Sequence, residues 1–152
     1  MRQLEPRLKR LRYAQLPNYH YPLVYVDVGL DEALPSTMMG QAFSRAFHIF
    51  CQILARKADV LLIDEIENGM HWSALPDFWK GLAAVAESED VQIFATTHSR
   101  ECITAAHQAF AARTNYDLRL FRLDRTHDGE IRAVGYDQTA IEGAVEFQME
   151  MR

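Results

Sequence analysis

The chain has 152 residues, of which 49% are hydrophobic and 24% charged, and its formal net charge is −5. This length suffices for one domain with a real core, and the composition is ordinary for a soluble globular protein. The negative charge excludes a general attraction to nucleic acid or to anionic lipid, but it does not exclude binding of such partners by a local basic patch.

No apolar run approaches the roughly 20 residues that cross a bilayer. The first twelve residues carry charge without the apolar region of a secretory signal. The sequence therefore predicts a cytoplasmic protein with no membrane contact. Cys51 and Cys102 both fall in apolar helical patterns and are expected to be reduced core residues.

The N-terminal segment is basic. Residues 1–13 contain four arginines and one lysine among three leucines, which suits a short helix or an edge element with a solvated basic face. Contact with nucleic acid is the alternative. Residues 18–22 indicate a turn and residues 23–28 a strand.

A long helical pattern follows Pro35 and extends to about Lys57. Its apolar face is expected to hold large side chains at helical spacing, namely Met39, Phe43, Phe47, Phe50 and Leu54.

Residues 60–63, Val-Leu-Leu-Ile, run straight into Asp64 and Glu65. A strand buried on both faces of a parallel sheet explains the four apolar residues, but packing asks for no adjacent carboxylates. In open α/β sheets, ligands bind outside the carboxyl ends of the strands. The pair therefore indicates that one carboxylate holds Mg²⁺, directly or through water, while its neighbour takes a proton from an attacking water.

The next elements repeat this strand-and-helix pattern. A loop over residues 67–71 leads to a helix over about residues 73–87, with Trp72 and Trp79 expected to pack. A second apolar strand over residues 91–95 ends in Thr96, Thr97, His98 and Ser99, and Ser99 is expected to cap the following helix.

The C-terminal part predicts a β-hairpin and a helix. Residues 118–123 and 131–136 are strands joined by a turn at residues 127–129. A capping box at residues 139–142 opens the last helix, which extends to Met149. The predicted fold is thus α/β, with a parallel sheet, flanking helices and a C-terminal hairpin plus helix, in one domain over residues 1–152.

Residues 61–71, LLIDEIENGMH, and residues 92–99, QIFATTHS, carry a family resemblance. They resemble the Walker B and switch-histidine segments of P-loop ATPases in the branch of ABC, SMC and RecF-like proteins. They look most like AAA family ATPases related to the OLD (overcoming lysogenization defect) proteins, some of which are linked to phage defence. The resemblance extends over about residues 34–112. It implies ATP and Mg²⁺ as cofactors, with Asp64 organising Mg²⁺, Glu65 activating water and His98 contacting the γ-phosphate.

The same resemblance places an ABC signature at residues 35–41. In ABC-like dimers the signature serine, glycine and helix N-terminus clamp the γ-phosphate bound by the opposite subunit. Met39 and Gly40 match the relatives' Ser-Met-Gly-acid-Gly, and Thr37 is placed to supply a hydroxyl. Three positions depart from that pattern, namely Met38, Gln41 and Ala42. An ordinary amphipathic helix start is the alternative.

His71 has two interpretations. In the similar ATPases it would position a loop, the D-loop, across a dimer; alternatively it caps a backbone carbonyl. A third hypothesis reads five residues as a metal cluster of the hydrolase kind, namely Asp64, Glu65, Glu67, His71 and His98.

The chain lacks the glycine-rich turn ending in Gly-Lys-Ser/Thr that cradles phosphates in P-loop ATPases, because none of its three lysines follows a glycine. It is therefore expected to be the C-terminal part of such an ATPase, inactive unless a Walker A segment completes it. A homo-oligomer or a Walker A-containing chain is the expected partner, with a nuclease effector as a further candidate. The alternative function is a nucleotide-free dimerisation or regulatory module, whose uncovered sheet edge and apolar surface would drive self-association. What hydrolysis would drive is not encoded in any recognisable effector segment.

Overall fold

The computed structural model describes residues 1–2, 4–15, 22–56 and 59–147. Most of the expected turn at residues 18–22 lies outside this part, as do Lys57 and Met149. The described residues form seven strands and four α-helices. In chain order they are β1 (Arg10–Ala14), β2 (Leu23–Asp27), β3 (Leu34–Pro35), α1 (Gln41–Arg56), β4 (Val60–Ile63), α2 (Leu75–Ser88), β5 (Gln92–Ala95), α3 (Arg100–Ala111), β6 (Leu120–Arg125), β7 (Ile131–Tyr136) and α4 (Gln138–Glu146).

The N-terminal strands form an antiparallel sheet in the order β1-β2-β3. The basic segment is an edge strand, with the side chains of Arg10 and Arg12 exposed, and charge on an edge discourages pairing with other chains. Leu8 and Val26 anchor the sheet in a small core with Phe43 of α1.

A second sheet consists of the parallel pair β4 and β5, connected by α2. Leu61, Ile63 and Ile93 face a large core formed with α1, α2 and α3. The other face is uncovered among the described residues, since Val60 is 48%, Leu62 75% and Phe94 54% exposed. The expectation of a strand buried on both faces is therefore wrong for β4.

Helix α1 begins at Gln41, later than expected, because Leu34 and Pro35 pair with β2 and residues Ser36–Met38 form a 3-10 turn. Its buried face is Phe43, Ala46, Ile49, Phe50 and Ile53. Leu54 is 55% exposed, because Ile53 occupies the core-facing position at the last turn.

Helices α2 and α3 complete the main core. Phe78 and Cys102 are fully buried there, and burying a side chain as large as Phe stabilises a fold by about 1.5–3 kcal/mol. Trp79 packs as expected, but Trp72 is 66% exposed. Cys51 is exposed as well, so only Cys102 is a core residue, and both cysteines are free thiols.

The third sheet is the antiparallel hairpin β6-β7, paired from Leu120↔Tyr136 to Arg125↔Ile131. Helix α4 packs Ile141 and Ala144 against Ile103 of α3. None of the helices within the described ranges is long and apolar enough to cross a membrane. The α/β class, the parallel strands, the flanking helices and the hairpin with its helix are all as predicted.

Candidate functional site

The carboxyl ends of β4 and β5 lie side by side. The two strands are parallel, with Ile63 opposite Ala95, so the residues that follow them emerge at one edge of the sheet. Asp64 and Glu65 follow β4, while Thr96 to His98 follow β5. The structure thus brings together the strand-end residues that the sequence singled out.

Thr96 connects the two strand ends. Its hydroxyl donates a short hydrogen bond to Oδ1 of Asp64 and accepts the backbone N–H of Glu65 at 2.9 Å. Its own backbone N–H donates to Ile63 O at 2.9 Å, and its carbonyl accepts the N–H of Ile66 at 3.0 Å. These bonds fix the direction of the Asp64 carboxylate, which is exposed at the sheet edge.

Glu65 has a left-handed backbone, with φ 45. Such a conformation is uncommon for a residue with a side chain, and it clusters at functional sites. Asn68 Nδ2 donates to Oε2 of Glu65 at 3.3 Å, which steadies the exposed carboxylate. A polar, exposed carboxylate beside a second one is suited to accept a proton from water.

Arg45 of α1 binds the backbone of the same loop. Its Nη2 donates to the carbonyl oxygens of Asp64 at 2.8 Å and Glu65 at 3.3 Å. Within the described residues, its buried Nε has no hydrogen-bond partner. A guanidinium satisfying two successive carbonyls supports the unusual turn at Glu65.

His98 is tied to the opposite loop. Its backbone N–H donates to Oε1 of Glu67 at 3.1 Å. The following Ser99 caps α3, as predicted, by accepting the N–H of Cys102 on its hydroxyl at 3.1 Å. Asp64 and His98 therefore belong to one hydrogen-bonded edge, linked through Thr96 and Glu67.

The segment before α1 has mixed placements. Thr37 is exposed in the 3-10 turn, whereas the Met39 side chain packs against the small N-terminal core. Gly40 has φ 84, a backbone that favours glycine. Gln41 begins α1 and lies against the loop after β4, since a Cβ on Gly69 would meet the Gln41 Cβ at 3.3 Å.

An open cleft of about 420 Å³ lies between this helix start and that loop. It is lined by Gln41, Ser44, Arg45, His48, Asn68 and Gly69. The N-terminus of α1 and the loop that follows β4 therefore lie on opposite sides of one cleft.

His71 is exposed and caps a helix turn. Its Nδ1 lies 2.9 Å from the Ser73 hydroxyl and accepts the Ser73 N–H at 3.4 Å, at the start of the 3-10 turn Trp72–Ala74. The imidazole thus caps a backbone amide rather than the carbonyl that the alternative expected.

Oxygen atoms are the donors that this edge could offer to a metal ion. Carboxylate and hydroxyl oxygens, such as those of Asp64 and Thr96, are the donors that Mg²⁺ prefers. Among the described residues, no group of three or more His, Cys, Asp or Glu side chains is placed to hold a metal ion. The hypothesis of a five-residue metal cluster is therefore wrong for this arrangement.

The sequence assigned roles to Asp64, Glu65 and His98 but did not show the hydrogen-bonding roles of Thr96, Arg45 and Glu67. Thr96 carries the same signal as the carboxylates, a polar residue at the tip of an apolar strand. Arg45 carries none, because an arginine on a helix ordinarily faces solvent.

Comparisons with known proteins agree with this architecture. Residues 3–103 match the family described as "AAA domain, putative AbiEii toxin, Type IV TA system". An "ATP/GTP phosphatase" of Helicobacter pylori (strain ATCC 700392 / 26695) is 32% identical over 82 residues, which cover 52% of this chain and 22% of that protein. The chain thus spans about a fifth of the length of that relative.

Two solved structures share the fold. A chain from "Structural biochemistry of ATP-driven dimerization and DNA stimulated activation of SMC ATPases" superposes with a TM-score of 0.66 at 13% identity, over 99% of this chain and 87% of that one. The "SmcHead bound to the C-winged helix domain of ScpA" gives a TM-score of 0.56 at 14% identity, over 95% and 41% of the two chains. At such identities the likeness establishes the fold alone.

Proposed function

Since this chain belongs to the AAA domain family that its residues 3–103 match, we propose that it supplies part of a nucleotide-hydrolysing site. In this proposal it is the C-terminal part of an ABC-type ATPase domain, carrying the Walker B carboxylates and the switch histidine. The phosphate-binding Walker A segment comes from another chain or from the rest of a longer protein. The supporting observation is the convergence of Asp64, Glu65 and His98 on one hydrogen-bonded sheet edge.

Three residues carry the proposed chemistry. Asp64 holds Mg²⁺, which when bound with ATP neutralises charge on the phosphates. Glu65 accepts a proton from the attacking water on its exposed carboxylate. His98 contacts the γ-phosphate, and Thr96 keeps Asp64 turned toward the edge where that phosphate would lie.

The proposal requires a second segment because this chain offers no glycine followed by lysine to hold phosphates. The open face of β4 and β5 supports this requirement, since strands of parallel sheets are normally covered on both faces.

The helix start acts on a partner's nucleotide in this proposal. Gly40, the amides beside it, Thr37 and Gln41 would face the γ-phosphate bound by a second copy, with Met39 anchoring the segment in the core. His71 would help to position the D-loop at that interface. On the pattern of residues 61–71 and 92–99, we place the chain near the OLD-related ATPases of the cytoplasm, for which a nuclease is the effector to look for.

The test uses the full chain alone and together with a Walker A-containing segment, such as one encoded by a neighbouring gene. The chain alone should show no measurable affinity for Mg·ATP, whereas the mixture should hydrolyse ATP. Glu65→Gln should lower kcat by about 10²–10⁴-fold while ATP binding is retained, and exposed Glu89→Gln should match the wild type. An unchanged rate in Glu65→Gln would reject the general-base role. Tight Mg·ATP binding by the chain alone would reject the claim that it needs a phosphate-binding segment from elsewhere.

The second candidate function is an interaction module without nucleotide chemistry. The observation that favours it is the open apolar face of Val60, Leu62 and Phe94, since large exposed apolar patches mark interaction sites. In this case the chain binds a second copy of itself through that face.

Self-association through this face is a separate prediction. Leu62→Glu should shift the chain from oligomer to monomer in light scattering, because a charge replaces apolar surface at the contact. Leu30 is also exposed, at 57%, but lies outside this face, so Leu30→Glu should leave the oligomer unchanged. A wild-type chain that stays monomeric at high concentration would contradict the prediction.

A further inference from the structure

Glu67 lies two residues beyond Glu65, and its carboxylate is turned inward. One oxygen, Oε1, accepts the backbone N–H of His98 at 3.1 Å. The other oxygen, Oε2, is buried, and within the described part of the chain it has no hydrogen-bond partner. The side chain therefore bridges the loop after β4 and the segment after β5 beneath the exposed edge.

The surroundings of Glu67 are part of the protein interior. Cys102, on the first turn of α3, is fully buried. Burial raises the pKa of the Cys102 thiol, and the negative charge of Glu67 raises it further.

This placement has a free-energy cost. A carboxylate oxygen removed from water without a hydrogen-bond partner destabilises the fold. An uncharged side chain would pack as well at this position. The hydrogen bond to the His98 amide, by contrast, needs an acceptor oxygen at the reach of the Glu67 side chain.

The strand-end residues are held unequally. Thr96 forms hydrogen bonds to Ile63, to Ile66 and to the Asp64–Glu65 pair, which fix it to β4. His98 lies two residues farther along, and its amide is held by Glu67. The Glu67 carboxylate therefore helps to set the direction in which the His98 side chain leaves the backbone.

We infer that Glu67 is a positioning residue for His98: it fixes the backbone of His98 relative to Asp64 and Glu65 without touching nucleotide. This role rests on the proposed function for its catalytic meaning. The structural bond itself can be tested without any hydrolysis.

The first experiment measures amide hydrogen exchange by NMR in the full chain. Glu67→Ala removes the acceptor, and Glu67→Asp keeps the charge but withdraws the oxygens by one methylene. Both should speed exchange of the His98 amide by roughly tenfold or more, while the Thr96 amide, bonded to Ile63 O, should not change. Glu67→Gln keeps a carbonyl oxygen at the same reach and should restore wild-type exchange.

Glu89→Ala, at an exposed carboxylate, is the matched control and should leave both amides unchanged. Unchanged His98 exchange in the alanine and aspartate variants overturns the inference. Faster exchange in all three variants, glutamine included, also overturns it, because an acceptor oxygen at the same reach would then not be enough to hold the His98 amide. If the alanine variant does not fold, the aspartate and glutamine variants decide between these outcomes.

The second experiment measures kinetics after completion with a Walker A segment. Glu67→Ala should lower kcat roughly tenfold with little change in KM, and Glu67→Gln should recover most of that loss. A wild-type mixture without any hydrolysis would count against the proposed function alone, since the exchange measurement still decides the role of Glu67. A normal kcat beside rapid His98 exchange would overturn the positioning role.

Discussion

Two residues of the loop after β4 have a left-handed backbone, and the cost differs between them. Gly69, with φ 78, adopts it freely, whereas Glu65, with φ 45, bears a Cβ that makes it unfavourable by about 1–2 kcal/mol. Three neighbours hold Glu65 there: Thr96 accepts its N–H, Arg45 donates to its carbonyl, and Asn68 donates to its carboxylate. The fold thus maintains an unfavourable backbone at the residue proposed as the base.

Gly69→Ala should destabilise the protein. The position requires a left-handed backbone, which a Cβ makes unfavourable, and the new Cβ would lie 3.3 Å from the Cβ of Gln41. The free energy of unfolding should therefore fall by about 1–2 kcal/mol. Urea unfolding measures this change.

Gly143 is the matched control, because it lies inside α4 with nothing within 4 Å of an added Cβ. Gly143→Ala should raise the free energy of unfolding by about 0.5–1 kcal/mol. Equal losses in both variants would show that backbone conformation does not decide the effect at Gly69.

At the scale of elements, the starts of α3 and α4 show how well a sequence pattern predicts the residue that caps a helix. Ser99 was predicted as the cap of α3, and the structure confirms it. For α4 the sequence predicted a capping box formed by Thr139 and Glu142. The structure uses Asp137, whose Oδ1 accepts the Ala140 N–H at 2.9 Å, because β7 ends at Tyr136 and leaves Asp137 extended. The predicted capping box was therefore wrong, because the helix begins where the preceding strand ends.

Asp137→Ala should lower the free energy of unfolding by about 1 kcal/mol through loss of the helix cap. Thr139→Ala, at an exposed position within the first turn, should stay within about 0.5 kcal/mol of the wild type. Chemical denaturation of both variants checks this, and a larger loss for Thr139→Ala would restore the capping box.

At the scale of the whole molecule, the sequence predicted features that depend on neighbouring residues, such as the ends of strands. It missed the hydrogen bonds and the exposure that depend on residues far apart in the chain. The two strand ends and their polar residues were found because an apolar run stops at each. The bond between Thr96 and Asp64 spans 32 positions, and the one between Arg45 and Asp64 spans 19, so neither has a local signature. Exposure of Leu62 was missed because a strand's period does not show which layers cover it.

The stability of the whole molecule should fall in strong alkali through Tyr116. Burial, and then the negative charges of Glu142 and Asp137, raise the pKa of Tyr116 from 10.0 to about 12. The fold favours the neutral phenol, so its contribution is complete below the unfolded pKa and is lost as pH rises from about 10 to about 12.

Tyr116→Phe should flatten this part of the curve of unfolding free energy against pH, although it also removes the 2.9 Å hydrogen bond to His107. Tyr13→Phe is the control, since Tyr13 is 75% exposed. If Tyr116→Phe loses as much unfolding free energy at alkaline pH as the wild type, another group causes that loss.

The bare face of β4 and β5 has a consequence for the living cell. Exposed Leu62 and Phe94 form apolar surface that invites association or aggregation when nothing covers it, and cells remove such species through chaperones and proteases. The steady-state amount of this polypeptide should then follow the supply of whatever covers that face, so that overexpression without it yields degradation rather than product.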